Sequence, residues 1–345
     1  MHKNIALEGQ RFFHIDFMRS IAIGIMLFAN ALPHVSGFHP ESLLRIFCSL
    51  AAPAFIFLSG YTAGINQQKP VKKALISAAG ILTAAVLIDG LVWQVRPFSQ
   101  FDVLYLISAG LFFNICIRGN GWFQLLAGSL ILFGGSSLVS QFSYRFDISA
   151  GTNGSSLDFL RNSIQRFLFD GWFPLIPWLG FSFLGYAAWQ FREFSRKYAI
   201  AGILAGLLLF VFFFLPVAES ASHELREGYA EVFYPPSLKV MLLVSGWVCF
   251  LYHFLLLLEK RFPAGILPGY FSLPGRHSLL IYNLHSIILG PLALLQLHPS
   301  GGGGAMLAFG CLMAAGLLVS FLAELPAFRQ FSGKLPLFVR SAAGL

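Results

Sequence analysis

A carboxylate, a guanidinium, an amide and two imidazoles stand in and beside the first apolar run of the chain, "HIDFMRSIAIGIMLFANALPHVSGFHP". Asp16 and Arg19 open this run, Asn30 lies near its end, and His34 and His39 follow it. Ionisable groups are costly inside a membrane span, so they are functional candidates by default. Arginine can bind phosphate, an imidazole can act as a general base near pH 7, and an amide can donate to an oxyanion.

On one helix these side chains form a single stripe. Each residue turns about 100° and rises about 1.5 Å, so Arg19 lies at about −60° and Asn30 at about −40° from Asp16. His34 returns to about 0°, although Pro33 allows the helix to end before it. Structural interpretations stay open: Asp16 as an N-cap, Arg19 reaching the inner headgroups, and Asn30 bonding a neighbouring helix.

A second polar face is predicted in "LPGRHSLLIYNLHSIIL". Measured from His277, Ser278 lies at about 100°, Tyr282 at about 140° and His285 at about 80°. A hydroxyl, a phenol and an imidazole on one apolar helix need partners or a water-lined cavity. Arg276 stands at the start of this helix. Hydrogen bonding between helices is the alternative to a functional role.

The composition indicates an all-α, polytopic transmembrane helix bundle. Hydrophobic residues make up 57% of the chain and charged residues only 11%, against about 25% in soluble proteins. The net charge of +8 does not indicate nucleic-acid binding, because the charges lie in short loops rather than on one face. The four cysteines lie in apolar segments without C-x-x-C spacing, so no metal site or disulfide is predicted.

Ten spans of about 20 apolar residues are predicted within a single domain, 1–345. With the N-terminus in the cytoplasm, most basic residues fall in inner segments and most acids in outer loops, so both termini should be cytoplasmic. The outer loops 141–171 and 218–236 are long enough to suggest function. The predicted spans are 14–34, 43–65, 73–94, 101–117, 121–140, 172–190, 198–217, 237–258, 269–292 and 304–325.

The opening span resembles that of the integral-membrane acyltransferases related to heparan-alpha-glucosaminide N-acetyltransferase. These begin with D-x-x-R-G and carry Asn eleven residues after the Arg. Asp16, Arg19 and Asn30 keep that spacing, although Ser20 replaces the Gly. The wider superfamily often has His at the Asn position, so Asn30 favours the heparan-type branch.

The resemblance also implies a catalytic histidine in the following outer loop. In the family this residue precedes the proline of the next span by fourteen positions, which here leads from Pro53 to His39. Counting eleven forward from Asn30 instead reaches Glu41, so His34 stays the rival. "FPLIPWLGFSFLGY", "YPPSLKVMLLVSG" and "GRHSLLIYNLH" resemble later spans, which extends the resemblance over about residues 11–292.

The resemblance implies transfer of an acyl group, expected to be acetyl, from cytoplasmic acetyl-CoA to a hydroxyl or amine at the outer face. The acceptor would be an envelope sugar, a glycolipid or a similar molecule, and the membrane a bacterial inner membrane. His39, Asn30 and His34 are the catalytic candidates. The candidates for binding acyl-CoA are Arg19, Asp16, Arg276, Ser278, Tyr282 and His285.

Intramembrane charges and ten spans also suit a transporter or flippase for a small polar or lipid-linked solute. The halves of the chain show no matched Gly- or Pro-broken helices, which weighs against that alternative. A membrane hydrolase lacks support, because neither H-E-x-x-H nor G-x-S-x-G occurs. The sequence leaves O- versus N-transfer and the oligomeric state open, a homodimer included.

Overall fold

The computed structural model describes residues 12–35, 41–139, 156–220, 230–232, 234, 236–261, 266–295 and 301–345, and its regular structure there is helical. A 3₁₀ turn, Leu32–His34, ends the first helix, and π-helical turns occupy Ile88–Val92, Leu130–Gly134 and Arg166–Asp170. The α-helices are α1 Phe13–Ala31, α2 Ser42–Cys48, α3 Ala51–Ile65, α4 Val71–Leu87, α5 Val103–Cys116, α6 Gly121–Ser129, α7 Gly135–Val139, α8 Ser156–Gln165, α9 Leu175–Gln190, α10 Arg192–Lys197, α11 Ala199–Ser220, α12 Leu238–Arg261, α13 Ile266–Phe271, α14 Leu273–Arg276, α15 Ser278–Leu294, α16 Gly301–Glu324, α17 Pro326–Lys334 and α18 Leu337–Ala343.

Within the described residues, seven helical segments are long and apolar enough to cross a membrane. Because a helix needs about 20 apolar residues to span the hydrocarbon core, these segments make the protein an integral membrane protein. The seven are Phe13–His34, Ser42–Ile65, Val71–Val92, Gly121–Val139, Ala199–Ser220, Leu238–Arg261 and Gly302–Glu324.

The other three predicted spans are shorter or broken. Helix α5 has 14 residues and α15 has 17. The pair Ser156–Asp170 and Leu175–Gln190 is bent by 51° and counts as an eighth span only if both pieces cross together. The total of ten spans and the cytoplasmic position of both termini therefore stay predictions.

Side-chain contacts group several helix ends at one end of the bundle, where Phe12 packs on Trp189 and Gln190 donates to Gln67. His14 Nδ1 lies 2.7 Å from Glu259 Oε2, which joins the start of α1 to the end of α12. Arg118 donates to the carbonyl of Lys69 at 3.0 Å, which joins the end of α5 to the turn after α3. We call the end of the bundle where α1 begins the Arg19 end, and the opposite one the Asn30 end.

Helices α3 and α9 cross with their backbones in close approach. A Cβ added at Gly60 would lie 1.7 Å from the carbonyl oxygen of Ser182, and one at Gly185 would lie 1.8 Å from that of Phe57. Only glycine leaves room for this crossing. Gly60 and Gly64 also form the G-x-x-x-G spacing that brings membrane helices together. The crossing fixes α3, which lines both cavities described below.

Helices α1 and α15 run side by side in the same direction. The backbone N–H of Gly275, just before α15, donates to Ser20 Oγ at 2.8 Å. Further along, the side chains of Asn30 and His285 meet. Ser20 and Asn30 are ten residues apart, and so are Gly275 and His285. The two helices therefore keep the same relative register over this length. The two polar stripes predicted from the sequence therefore face each other.

Candidate active site

A cavity of about 320 Å³ lies at the Asn30 end of the bundle. We call it the outer cavity, after the side of the membrane that the sequence predicts for this end. Its walls come from the end of α1, the 3₁₀ turn, the start of α3, the segment before α5, Trp172–Phe173 and α15. Two backbone hydrogen bonds join these loops, from Trp172 N to Gln100 O at 2.9 Å and from Phe173 N to Phe101 O at 3.0 Å. The polar groups of the site are thus held by several separate elements.

Asn30 and His285 form a hydrogen-bonded pair in this cavity. Asn30 Nδ2 lies 3.1 Å from His285 Nε2, and the His285 side chain is buried. An amide nitrogen can only donate, so His285 Nε2 accepts and carries no proton in this pair. The amide group of Asn30 has a second N–H. This fixed amide is therefore able to donate to a charge that develops inside the cavity.

His34 also lines the outer cavity, from the 3₁₀ turn that follows α1. Its ring stacks on Trp93, with the centroids 6.2 Å apart and the planes 9° from parallel. The α-helix ends at Ala31, so His34 does not continue the α1 stripe as a regular helical position would. The imidazole reaches the cavity because the chain tightens into this turn. His39 lies outside the described residues.

Two carboxylates line the same cavity. Asp102 accepts hydrogen bonds from Tyr282 Oη and from the backbone N–H of Val103. Glu231 comes from the loop before α12, and burial raises the pKa of its carboxyl to about 7. Hydrogen bonds from the backbone amides of Ala230 and Glu231, and the Arg45 charge, oppose this rise. The outer cavity therefore combines two acids with a lining that is otherwise largely apolar.

A second cavity, of about 200 Å³, lies toward the Arg19 end, and we call it the inner cavity. Arg19 donates to Asp16 Oδ1 at 3.2 Å and to Thr62 Oγ1, and Ser278 lies on the same wall. The remaining lining is mainly apolar and includes Leu58, Ile81, Leu104, Ile107, Leu111 and Leu279. One guanidinium thus stands beside an apolar chamber.

The two cavities share one wall, which consists of Phe55, Val103 and Tyr282. Tyr282 is fixed there, because its hydroxyl donates to Asp102. The side chains of α15 therefore follow the path from the inner to the outer cavity in chain order, with Ser278 inside, Tyr282 at the wall and His285 outside. This arrangement places three side chains of α15 along the two neighbouring cavities, of which the outer one carries more polar groups.

The remaining predicted binding residues lie outside the lining of both cavities. Asp16 is buried and pairs with Arg19. Arg276 Nη1 lies 3.6 Å from Glu324 Oε1, and its Nη2 donates to Ser272 Oγ at 3.1 Å. Asp16 therefore orients the guanidinium of the inner cavity, whereas Arg276 connects the start of α15 to the end of α16.

Sequence reasoning missed several residues of the outer cavity. Trp93, Gln100, Asp102 and Glu231 line it but lie in loops, where helical periodicity gives no signal. The fragment "YAEVFY" offered one hint, since Glu231 is a single acid among apolar and aromatic residues in a long loop. Such an acid is buried more readily than an acid in a charged loop.

The fold and the site together define a helical integral membrane protein with two neighbouring cavities that share three lining residues. The chain belongs to the family of the heparan-alpha-glucosaminide N-acetyltransferase catalytic domain, because the model of that family matches residues 11–215. This confirms the resemblance found in the sequence, and membership makes the protein a membrane acetyltransferase in general terms. No curated protein sequence matches the chain.

The family match extends from the start of α1 into α11. It includes Arg19 and Asn30, and it ends before Glu231, Tyr282 and His285. The structure therefore completes the site with residues from the unmatched part of the chain. Asn30 of the matched part and His285 of the unmatched part are in direct contact.

Proposed function

We propose that this protein transfers an acetyl group from cytoplasmic acetyl-CoA to a hydroxyl or amine of an envelope sugar, glycolipid or similar acceptor at the outer face. The observation that carries the proposal is the shared wall of the two cavities. A donor bound at the Arg19 end could present its thioester at this wall, where an acceptor bound at the Asn30 end could meet it. Neither substrate would need to cross the bilayer.

The proposed orientation places the Arg19 end in the cytoplasm. It assumes ten crossings and cytoplasmic termini, as the distribution of basic residues predicts. Arg118 and Arg192 lie at the same end of the bundle as Arg19, which supports this orientation. A bacterial inner membrane suits such a chain, and a homodimer remains one option for its assembly.

In the inner cavity, Arg19 would hold phosphates of acetyl-CoA, because a guanidinium forms strong charge-assisted bonds with them. Asp16 orients Arg19, and Ser278 and Tyr282 would line the path of the pantetheine arm. Arg276 would assist at the cytoplasmic mouth. The apolar chamber between Arg19 and Tyr282 suits the uncharged part of the donor.

In the outer cavity, an imidazole would act as the general base, from His39 or from its rival His34. The base removes the proton from the acceptor hydroxyl or amine, whose oxygen or nitrogen attacks the thioester carbonyl carbon. The C–S bond then breaks, and the base returns the proton to the departing thiolate of CoA. Asn30, held by His285, would donate to the oxyanion. An acyl-histidine intermediate is the second route open to this site.

The test is acetyl-CoA turnover by the purified protein with extracts of the cell envelope as acceptor. We expect labelled acetyl to enter one envelope fraction. The variants His39→Ala and His34→Ala separate the two candidates. The protein should lose most of its transfer rate when the histidine that acts as the base is replaced. If both variants transfer at the wild-type rate, an imidazole base from this segment is excluded.

The two neighbouring cavities also suit a second candidate, a transporter or flippase for a small polar or lipid-linked solute. Such a protein needs polar groups within the membrane, which both cavities supply. The two candidates differ in their ligand. Tight binding of CoA to the purified protein supports the transferase, whereas uptake of solute into vesicles without CoA supports transport.

A further inference from the structure

A short segment before α12 closes the outer cavity, and we call it the strap: Ala230, Glu231, Val232 and Tyr234. Its three apolar members are all buried, with at most 7% of their surface exposed. An extended segment with such side chains packs as part of the protein interior. The strap is therefore a fixed wall of the cavity.

Side chains from other elements hold the backbone of the strap. Arg45 of α2 donates to the carbonyl of Glu231 at 3.1 Å. The backbone N–H of Val232 donates to Ser49 Oγ at 2.8 Å. The Tyr234 hydroxyl donates to the carbonyl of Trp172. The first two bonds hold the peptide between Glu231 and Val232, and the third anchors the Tyr234 side chain. The Glu231 side chain remains in the cavity lining.

The carboxyl group of Glu231 has hydrogen-bonding capacity to offer a ligand. The backbone amides of Ala230 and of Glu231 itself favour its ionised form. An ionised carboxylate has about four acceptor positions. A ligand hydroxyl or ammonium can fill the remaining positions, whereas an anionic ligand would meet a negative charge in a buried space.

The charges around the outer cavity reinforce this selectivity. Among the described residues that line it, none is a lysine or arginine, and two are acids. Arg45 lies behind the strap and is 3% exposed, and its charge favours the ionised form of the Glu231 carboxyl. The titratable and charged groups around Glu231 are Arg45 and Cys48 of α2, Asp102 before α5, His34 after α1, and Tyr282 and His285 of α15.

We propose that Glu231 binds a hydrogen-bond donor of the acceptor, either a hydroxyl or an ammonium group, and that the strap excludes acceptors with an anionic group at that place. The inference deepens the proposed function and rests on it. Glu231 is thus an acceptor-binding residue, contributed by a part of the chain beyond the family match. The favoured acceptor is a neutral or cationic polyhydroxyl compound.

The test measures acetyl transfer from acetyl-CoA to three matched acceptors, a methyl glucoside, a methyl glucosaminide and a methyl glucuronide. The wild type should use the first two and discriminate against the glucuronide. Glu231→Gln should raise the KM for the glucoside at least tenfold, because a hydrogen bond to a charged group is lost. The KM for acetyl-CoA should stay within about twofold, since Glu231 is outside the inner cavity.

The pH profile separates a binding role from a structural one. The wild-type KM for the glucoside should fall as the pH rises through about 7, because the carboxylate forms there. In Glu231→Gln this KM should be flat over the same range, while kcat keeps its own pH dependence on the imidazole base. Glu231→Asp should restore part of the affinity.

Two further variants act as controls. Glu193→Gln changes an acid at the Arg19 end that is 73% exposed, and its kinetics should match the wild type. Ser49→Ala removes one anchor of the strap and should also raise the acceptor KM. If Ser49→Ala raises the acceptor KM and Glu231→Gln does not, the position of the strap determines acceptor affinity. The proposed role of Glu231 would then be wrong.

The outcomes distinguish this inference from the function on which it rests. If the wild type does not use acetyl-CoA with any acceptor, including envelope extract, the proposed function fails. If the wild type acetylates other acceptors but uses neither the glucoside nor the glucosaminide, the inference alone fails. Equal use of glucuronide and glucoside, or an unchanged KM and pH profile in Glu231→Gln, also overturns the inference.

Discussion

The outer and inner cavities share three side chains, yet their polar groups differ. The outer cavity carries two acids, two imidazoles and two amides, without a lysine or arginine among its described lining residues. The inner cavity carries one guanidinium, and the rest of its lining is mostly apolar. Two cavities with different polar groups suit two different molecules, a donor and an acceptor. A single solute that moved through both would have to bind beside a guanidinium in one cavity and beside two acids in the other.

The largest effect should come from Asn30→Ala in the outer cavity. Removing one oxyanion donor typically lowers kcat by about 10²- to 10³-fold. We expect such a loss in acetyl transfer, with the KM for acetyl-CoA unchanged because Asn30 does not line the inner cavity. Asn66→Ala, at the end of α3 and outside both linings, is the matched control. A change confined to the KM for acetyl-CoA would mean that the two cavities have been assigned to the wrong substrates.

The wall between the cavities can be tested with Val103→Phe. Val103 lines both cavities, so a larger side chain there should separate the two substrates while leaving each cavity in place. We expect transfer to fall about tenfold or more, because misplacing two reactants by about 1 Å can cost up to about 100-fold in rate. Binding of CoA, measured by calorimetry, should persist.

The control for the wall is Ile107→Phe, because Ile107 lines only the inner cavity. This variant should weaken CoA binding more than Val103→Phe does. Normal transfer by Val103→Phe, in protein that binds CoA normally, would show that the substrates meet elsewhere.

Arg19→Gln probes the charge of the inner cavity. Loss of a charge-assisted bond to phosphate should raise the KM for acetyl-CoA about tenfold and change kcat little. The acetyl derivative of 3′-dephospho-CoA tests which phosphate Arg19 binds, because the variant should stop discriminating between the two donors if it is the 3′-phosphate. Arg192→Gln changes an arginine that packs on Trp189 at the same end of the bundle. Equal effects of the two substitutions would argue against a specific site at Arg19.

Gly275→Ala should give the smallest effect on activity and a measurable effect on stability. A Cβ there would lie 1.8 Å from the carbonyl oxygen of Asp16, so α14 must move away from α1. We expect a destabilisation of about 1–3 kcal/mol and a lower Tm in detergent. Gly302→Ala is the control, because no atom lies within 4 Å of its added Cβ. An equal Tm in the two variants would contradict the close contact of α1 and α14.

Helical periodicity predicted the spans and the two polar stripes, since an apolar run of about 20 residues has few alternatives to a membrane helix. The stripes of α1 and α15 do meet, through Asn30 and His285. The spacing of Gly60 and Gly64 is a sequence sign of the crossing of α3 and α9. It does not identify the helix that packs against these glycines.

Arg276 shows the limit of prediction from helical periodicity. A basic residue at the start of a polar helix face suggested a contact with CoA, and the structure places it beside Glu324 of α16. Periodicity gives the face of a helix on which a residue lies, but it does not give the helix opposite. The partner depends on how distant segments assemble, which is the reason that Arg276 remains a proposed and not an established donor contact.

By itself, the sequence determined the class of protein, the residues of the first polar stripe and the family, because hydropathy and short-range spacing are local properties. The tertiary structure alone decided that Phe55, Val103 and Tyr282 form a shared wall, and that Glu231 enters the outer cavity. These residues come from α3, α5, α15 and a loop, and the distances between them depend on helix packing. Packing joins residues far apart in the chain, so no local pattern encodes it.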